Sequence, residues 1–431
     1  MTKLVRIFLL AALCLNGLAI GQTAQPAAPD TQPIVTSYSP PPANYQKSVA
    51  YSSAHYLHFF VNTAYGLLMF LLILALRLGP KYRNWAERIS ERRFLQALIF
   101  APLMLLTFAV LSLPTDAWDQ SLESRFGLSV QSWAAWFSDW LTTQILVLIL
   151  GTLLVWILYA TIRRSARRWW LYFWMACIPI LIAVFFVQPL VIDPLFYTFT
   201  PLEQHNPQLL AQMEDVIHHA GVDIPPQRIF EVNASSKTTS INAYVTGFGA
   251  SKRAVVYDTT ISQLTPPEVL FVFGHEMGHY VLFHIPKEMA IYLSLLLVLI
   301  YLGYRLAHWM LARWGEPWKI GSLGDWASLP LLFFILTALT FLATPVFNAI
   351  SRHFEHEADR YGVEVIHGIV PDAQQAAARG FERSGELDLA DPNPSAFMKF
   401  WMFDHPTRPE RVHFVATYDP WAKGESPRYV H

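Results

Sequence analysis

Long runs of apolar residues alternate with polar segments along the 431-residue chain and set its architecture. Six of the runs approach or exceed the roughly 18–20 apolar residues that a helix needs to cross a bilayer. Few charged residues interrupt them, and only 15% of the chain is charged, against roughly 25% in soluble domains. The pattern predicts a mainly α-helical membrane protein with six spans, at about residues 57–78, 94–113, 143–162, 170–192, 289–307 and 330–349.

A further apolar stretch, close to the N-terminus, has the pattern of an export signal. Lys3 and Arg6 form a short basic region before the apolar residues 7–19, and small residues that suit cleavage follow. We predict a signal peptide over residues 1–21, with an uncleaved anchor helix as the alternative. Residues 22–56, which begin rich in Pro, Ala, Gln, Ser and Thr, are predicted to form a flexible extracytoplasmic segment.

The composition excludes several classes of site. The only two cysteines, Cys14 and Cys177, lie inside apolar runs, so a disulfide scaffold or a cysteine-rich zinc module is excluded. Cys14 also lies too far inside its apolar stretch to suit a lipoprotein. The net charge of −1 gives no electrostatic case for a nucleic-acid partner. Histidine and carboxylate side chains remain as candidate metal ligands.

The loops between the spans alternate in charge, and this predicts an orientation. The first, third and fifth loops are basic, whereas the second, residues 114–142, is acidic. Basic loops stay in the cytoplasm, which places the polar regions 193–287 and 350–431 together on the extracytoplasmic side, in our prediction of a bacterial inner membrane. Four spans (57–192) precede the first polar region, and two more (288–349) join it to the second. The basic loop residues are Lys81, Arg83, Arg88, Arg92, Arg93, Arg163, Arg164, Arg167, Arg168, Arg313 and Lys319.

The first polar region carries a metal-binding motif, H-E-x-x-H, that begins at His275. A capping box at residues 265–268, with proline at the first helical position, predicts a helix over 266–284. On a helix, residues four apart share one face, so His275 and His279 can bind one metal ion. Glu276 then lies near the open side of that metal, where it can take a proton from water.

The residues before this helix predict a small α+β unit. Residues 208–221 have the pattern of an amphipathic helix, and residues 228–234, 241–248 and 253–257 have that of strands, the last two joined by a turn at 249–252. We predict a small antiparallel sheet whose edge pairs with the backbone of an extended peptide substrate.

A catalytic zinc ion needs a third protein ligand besides the two histidines. His284 is a candidate, although it stands nine residues after the first motif histidine rather than the ten of the extended metallopeptidase pattern. A better source follows the sixth span, where Glu355 and Asp359 share a helix face, so that one binds metal and the other braces a ligand. His353 and His356 in the same segment are rivals.

This combination of motifs resembles the integral-membrane CAAX prenyl protease type 1 family, which belongs to the gluzincin metallopeptidases. The resemblance covers roughly residues 50–415. Beyond the metal ligands, it includes a strand before the motif helix and a C-terminal His-Pro motif. The matching residues are His275-Glu276-x-x-His279, Ser351-Arg352-x-x-Glu355-x-x-x-Asp359, Asn242-Ala243-Tyr244, and Asp404-His405-Pro406 followed by Arg411.

The resemblance implies one Zn²⁺ ion per chain and a residue for each task around it. His275, His279 and Glu355 would bind the zinc, Glu276 would act as the general base, and Asp359 would support a ligand. The implied fold is a polytopic helical membrane protein with a small α+β metallopeptidase domain.

The resemblance also implies how a substrate is held. Asn242 would bind the substrate backbone, and His405 and Arg411 would stabilise the developing oxyanion or a substrate carbonyl. We predict a zinc endopeptidase acting on polypeptides of the membrane or the exported pool. A CAAX-type prenyl protease is one alternative, although the family's prenyl proteases face the cytosol and this charge pattern places the site outside. A chaperone-like scaffold without activity is the other.

Overall fold

Six helices in the described residues are long and apolar enough to cross a membrane, as the sequence predicts. The structure, a computed structural model, describes residues 34–247 and 252–430, so the predicted signal peptide over residues 1–21 lies outside it. The first four spans are formed by α1, α3, α4 and α5. The first five helices are α1 (Pro42–Ala75), α2 (Leu78–Ile89), α3 (Arg93–Phe126), α4 (Trp133–Arg164) and α5 (Trp169–Val187), the last prolonged by a π turn and a 3₁₀ turn to Leu195.

The first helix begins earlier than the apolar run that predicts it. α1 starts at Pro42, so the prediction of a flexible segment over residues 22–56 is wrong from that residue onward. The extra turns are helical because they pack on the C-terminal region. Ser52 is buried and its Oγ donates to the carbonyl of Leu389 at 3.4 Å, and the hydroxyl of Tyr56 donates to a carboxylate at 2.9 Å.

The helix of the second span, α3, also extends beyond its apolar stretch. α3 continues through Pro114 to Phe126, so the predicted acidic loop 114–142 reduces to six residues, 127–132, before α4 begins. A proline inside a helix removes one backbone hydrogen bond, and its ring crowds the carbonyl four residues earlier. The turns beyond it are retained because buried side chains such as Thr115 and Leu122 continue to pack.

A small sheet and its helices follow the fourth span. The strands are β1 (Phe199–Pro201), β2 (Ile229–Val232), β3 (Ala243–Thr246) and β4 (Arg253–Tyr257), and the helices are α6 (Leu202–His205), α7 (Pro207–His219), α8 (Asp258–Gln263) and α9 (Pro266–Val281). The strand order is β1-β2-β4-β3. The residue at position 248 and the turn residues 249–251, part of the predicted hairpin, lie outside the described residues.

The sheet is mixed rather than antiparallel, which corrects the prediction. β3 pairs antiparallel with β4, and β1 with β2, but β2 and β4 run parallel, with Ile229 opposite Ala254. The chain leaves β2 through a 3₁₀ turn at Ala234–Ser236 and forms β3 at the outer edge before β4 returns to the centre. As a result β4 is buried, and β3 is an edge strand beside α9.

The last two spans lead directly into the second half of the peptidase unit. α10 (His284–Trp318) follows α9 after a sharp turn in which Phe283 has a left-handed φ of 56°. α11 (Leu329–Ile366) is one continuous helix that begins in the apolar span and ends in the peptidase core. The remaining helices are α12 (Ala373–Leu387), α13 (Ala396–Met402) and α14 (Arg408–Thr417).

Glycines allow α9 and α11 to pack at close range. A Cβ on Gly278 would lie 3.0 Å from Cβ of Tyr361 and 3.2 Å from Cα of Ala358. A Cβ on Gly362 would lie 3.0 Å from the backbone nitrogen of His275. Because only glycine permits this approach, the third-ligand candidate on α11 comes within reach of the motif histidines on α9.

Candidate active site

Three side chains from α9 and α11 converge on one point. Nε2 of His275 lies 3.2 Å from Nε2 of His279, and each nitrogen lies 3.4 Å from an oxygen of Glu355. In the described part of the chain these three residues are the group of His, Cys, Asp and Glu side chains placed to hold a metal ion. The ligand set implied by the sequence is therefore brought together by the fold.

The spacing of these atoms fits a zinc ion. Two ligand atoms that each lie 2.0–2.2 Å from a tetrahedral zinc are about 3.3–3.6 Å apart, close to the distances found here. Oε2 of Glu355 is also buried and forms no hydrogen bond among the described residues, although Nε2 of His275 and Nη2 of Arg411 each lie 3.4 Å from it. A buried carboxylate oxygen without a hydrogen bond is costly, and a bound cation would satisfy it.

The rival ligands lie elsewhere. His353 is 70% exposed, and the ring of His356 packs on Phe414 with centroids 4.2 Å apart. His284 is fully buried and lies against the far side of the His279 ring, with its Nδ1 3.2 Å from Nδ1 of His279. None of the three faces the point between the clustered ligand atoms.

Asp359 lies behind His275, one helical turn beyond Glu355. Its Oδ1 is 3.0 Å from Nδ1 of His275, which leaves the other imidazole nitrogen to face the ligand cluster. Asp359 is completely buried and receives two hydrogen bonds from Arg411. Such a carboxylate fixes the orientation of a metal-binding histidine.

Arg411 is itself buried, at 4% exposure, among the ligands and their support. Besides pairing with Asp359, its Nη2 lies 3.4 Å from Oε2 of Glu355, and its guanidinium stacks over the ring of Phe381 at 4.1 Å. The capping box of Thr407 and Glu410 begins α14 and so sets the position of Arg411. The positive charge of Arg411 is therefore balanced mainly by the neighbouring carboxylates of Asp359 and Glu355.

His405 and Glu276 lie on the open side of the cluster. Nε2 of His405 is 3.1 Å from Oε1 of Glu355, and its Nδ1 is 3.0 Å from Asp404. The His405 side chain is 49% exposed, and desolvation of its covered part opposes the charged imidazolium, but the carboxylates of Glu355 and Asp404 outweigh this effect and raise the pKa of His405 to about 9. Burial raises the pKa of the Glu276 carboxyl above its usual range, partly offset by the nearby histidines.

The same forces act on the first motif histidine. Burial disfavours the charged ring of His275, but its contacts with Asp359 and Glu355 prevail and raise its pKa to about 9. A metal at this point would replace the proton on the nitrogen that faces Glu355.

A cavity of about 410 Å³ opens over these groups. Its lining includes His275, Glu276, His405 and Asn242, which precedes the edge strand β3. The Asn242 side chain accepts a hydrogen bond from the next backbone nitrogen at 2.8 Å and remains exposed to the cavity. The structure thus places the residue that the resemblance links to substrate binding directly before the edge strand, in the same cavity as His275 and Glu276 of the motif helix.

The cavity also contains residues that sequence reasoning missed. Tyr51, Ser52, His55 and Tyr56 of α1 also line it. Their i, i+1, i+4 and i+5 spacing puts polar and aromatic side chains on one helix face, but the segment was predicted to be flexible. Arg352 of α11 was missed as a support: it donates to the carbonyls of Lys399 and Phe403, just before His405.

The fold and the site agree with comparisons to known proteins. The chain matches the description "Peptidase family M48" over residues 203–419 and "CAAX prenyl protease N-terminal, five membrane helices" over residues 29–198. Within the described part of that second range lie four long apolar helices and the shorter α2.

Individual relatives cover most of the chain. The metalloprotease YhfN of Bacillus subtilis (strain 168) is 33% identical over 362 residues, 84% of this chain and 83% of that protein. The CAAX prenyl protease 1 homolog of Arabidopsis thaliana is 26% identical, covering 86% of this chain and 87% of its own length. The crystal structure of S. mikatae Ste24p shares the fold, with a TM-score of 0.72 at 23% identity, over 86% of this chain and 88% of that one. The chain belongs to peptidase family M48 and is a membrane metalloprotease.

Proposed function

We propose that the chain is a zinc-dependent endopeptidase that hydrolyses peptide bonds of membrane or exported proteins. The observation that carries this proposal is the convergence of His275, His279 and Glu355, with their ligand atoms 3.2–3.4 Å apart, below a cavity that also contains Glu276. Two histidines and a glutamate leave one position of a tetrahedral zinc open, as hydrolysis requires. One Zn²⁺ would be held per chain.

The residues around the ligands divide the chemistry of hydrolysis. A bound zinc ion would supply a Lewis acid that polarises the scissile carbonyl and acidifies water. Glu276, whose pKa burial raises, would accept the proton of the attacking water and deliver it to the leaving amine. His405, protonated near neutral pH, would donate a hydrogen bond to the developing oxyanion. Asn242 and the free edge of β3 would hold the extended substrate backbone.

We assign Arg411 a different task from the one that the resemblance implies. Its guanidinium is buried and pairs with Asp359 behind His275. This position supports holding Asp359 and Glu355 in place more than direct contact with a substrate carbonyl. Asp359 would in turn keep His275 oriented towards the metal.

We also propose that the zinc site faces the extracytoplasmic side of a bacterial inner membrane. The first, third and fifth loops meet at the end of the helices opposite the site. Arg83 pairs with Asp325, Arg163 donates to the carbonyl of Gly324 at 2.9 Å, and Arg77 donates to Pro317 at 3.0 Å. Because basic loops remain cytoplasmic, the opposite end would lie outside.

The second candidate function is removal of residues near a lipidated C-terminus. It is favoured by the relatives named CAAX prenyl protease 1 homolog, among them that of Arabidopsis thaliana. The proposed orientation argues against it, because prenylated proteins are not expected on the exterior face. Cleavage of an isoprenylated peptide in preference to the same peptide without its lipid would establish this second function.

Metal content and activity test the proposed function together. Purified wild-type protein should contain one zinc per chain and cleave an unfolded protein substrate. Glu355→Ala and His279→Ala should each lose most of the zinc and the cleavage. His353→Ala, on the same segment but exposed, is the matched control and should retain both. A wild-type protein without zinc, or full cleavage by the zinc-free Glu355→Ala variant, would contradict the proposal.

A further inference from the structure

His284 occupies a position that the H-E-x-x-H chemistry does not explain. It is completely buried at the start of α10, directly after the turn that ends the motif helix. Its Nδ1 lies 3.2 Å from Nδ1 of His279. Since Nε2 of His279 faces the ligand cluster, His284 contacts the nitrogen that a metal would leave free.

The other nitrogen of His284 points to a carboxylate on α11. Its Nε2 lies 3.5 Å from Oε2 of Glu357, a contact but not a formed hydrogen bond, and this nitrogen has no hydrogen-bond partner among the described residues. Glu357 is anchored in turn by the hydroxyl of Tyr429, which donates to Oε1 at 2.8 Å. A polar nitrogen buried this completely needs such a partner.

One arrangement of hydrogens is consistent with these contacts and places a donor of His284 beside the Glu357 carboxylate. A histidine that binds a metal through Nε2 carries its hydrogen on Nδ1 and donates from there. Nδ1 of His284 must then accept this bond from His279, which puts the hydrogen of His284 on Nε2. That hydrogen faces Glu357, an acceptor.

We propose that His284 and Glu357 are positioning residues that orient His279 on the metal. This assignment rests on the zinc site proposed above. It makes α11 the source of three carboxylates with distinct tasks: Glu355 binds the metal, Asp359 supports His275 directly, and Glu357 supports His279 through His284. Their i, i+2, i+4 spacing sends Glu357 to the opposite side of the helix, where the α9–α10 turn brings His284 to meet it.

The competing explanation is that His284 only fills space. Its ring packs on Phe354, with centroids 4.8 Å apart, as a buried core side chain would. His284→Leu keeps the buried volume but removes the acceptor, whereas His284→Asn keeps an acceptor oxygen near the position of Nδ1. A space-filling role predicts that leucine is the better substitute, and an orienting role predicts that asparagine is.

Zinc affinity separates these roles without reference to activity. Competition of the full-length, detergent-purified protein with a chromophoric chelator should show about 10- to 100-fold weaker zinc binding by His284→Leu. His284→Asn should bind within a few-fold of wild type. His353→Gln is the control, since it is exposed, lies 3.9 Å from Glu357 and does not contact His279.

The double variant tests whether Glu357 acts through His284. Glu357→Ala should weaken zinc binding several-fold. Adding it to His284→Leu should cause no further loss of zinc affinity, because Glu357 can no longer act on His279 once His284 is absent. The absorption bands of the Co²⁺-substituted protein should change in His284→Leu and not in His353→Gln. Thermal unfolding of each variant checks that it folds, and Glu357→Ala, on a partly exposed residue, carries the test if His284→Leu does not.

The outcomes distinguish this inference from the proposed function. Wild-type zinc affinity and unchanged cobalt bands in folded His284→Leu, or in Glu357→Ala, would overturn the orienting role and leave the zinc site standing. Additive losses in the double variant would also contradict it. If wild-type protein binds no zinc, both the inference and the proposed function fail.

Discussion

Two titratable side chains at the open face of the site need opposite protonation states. Glu276 must be ionised to accept a proton, and burial raises its pKa. His405 must be protonated to donate to an oxyanion, and the carboxylates of Glu355 and Asp404 raise its pKa to about 9 against the effect of partial desolvation. Activity is therefore expected only in the pH range where Glu276 has lost its proton and His405 retains one.

The alkaline limb of the pH profile should belong to His405. As pH rises towards about 9, His405 loses its proton and kcat/KM should fall. Bound zinc neutralises part of the Glu355 charge, so the midpoint should lie between the ordinary 6.5 of histidine and 9. His405→Gln, which keeps a neutral donor, should have a kcat/KM about 10²- to 10³-fold lower and lack this limb.

The measurement is kcat/KM on one peptide substrate between pH 5 and 10. The acid limb, set by Glu276, should persist in His405→Gln and serves as the internal control. An alkaline limb of unchanged shape in that variant would remove His405 from the chemistry.

At the scale of elements, the site depends on how closely two helices approach. α9 supplies two ligands and α11 the third, and Gly278 and Gly362 permit the contact between them. The capping box at Thr265 fixes where α9 begins, with Thr265 N donating to Glu268 at 2.9 Å. The register of the two helices thus sets the ligand geometry.

Gly278→Ala should loosen the metal site without touching a ligand. Its Cβ would lie 3.0 Å from Tyr361 and force the helices apart by a few tenths of an ångström. We expect about 1–3 kcal/mol of destabilisation from overpacking, and weaker zinc binding. Gly66→Ala in α1, where a Cβ meets nothing within 4 Å, is the control and should change neither property. Chelator competition measures the zinc affinity, and thermal unfolding measures the stability. Wild-type zinc affinity in Gly278→Ala would show that the close contact does not control the site.

The sequence predicted the elements that local patterns encode. The six spans follow from uninterrupted apolar length, and α9 from its capping box and histidine spacing. The parallel pairing of β2 with β4 was not predictable, because it depends on a chain crossing rather than on residue alternation. The early start of α1 was missed because only its contacts with the C-terminal region, such as Ser52 with Leu389, order a polar segment.

The site shows the same division between local and distant information. Glu355 and Asp359 could be chosen because their spacing puts them on one helix face. The contact of His284 with His279 could not be predicted, because it depends on the left-handed turn at Phe283, which no pattern of residues indicates.

For the whole molecule, the helices separate two polar ends of different character. One end gathers the three basic loops, held by contacts such as Arg83 with Asp325. The other holds the sheet, the metal cluster and the C-terminal helices. The fourth span leads into the first half of the peptidase unit, and the sixth span brings α11 back to complete it. The candidate site is thus confined to one end of the helices.

Cysteine labelling in intact cells tests which side that is. In a variant lacking Cys14 and Cys177, Glu425→Cys near the peptidase end should react with a membrane-impermeant maleimide, and Glu91→Cys in the first loop should not. Both positions are exposed, so accessibility to solvent does not differ between them. Labelling of both after the membrane is permeabilised is the control. The reverse pattern in intact cells would place the site in the cytoplasm and favour the prenyl protease function.

Removal of the base while the metal stays bound tests the zinc-peptidase chemistry most directly. Glu276 lies beside the ligand cluster, with its Oε1 4.0 Å from Nε2 of His275, but it is not one of the three residues placed to bind the metal. Purified Glu276→Gln should therefore contain one zinc per chain, as wild type should, and cleave a protein substrate at less than about 1% of the wild-type rate. Cleavage at the wild-type rate by this zinc-loaded variant would contradict the assignment of Glu276 as the base and the mechanism built on it.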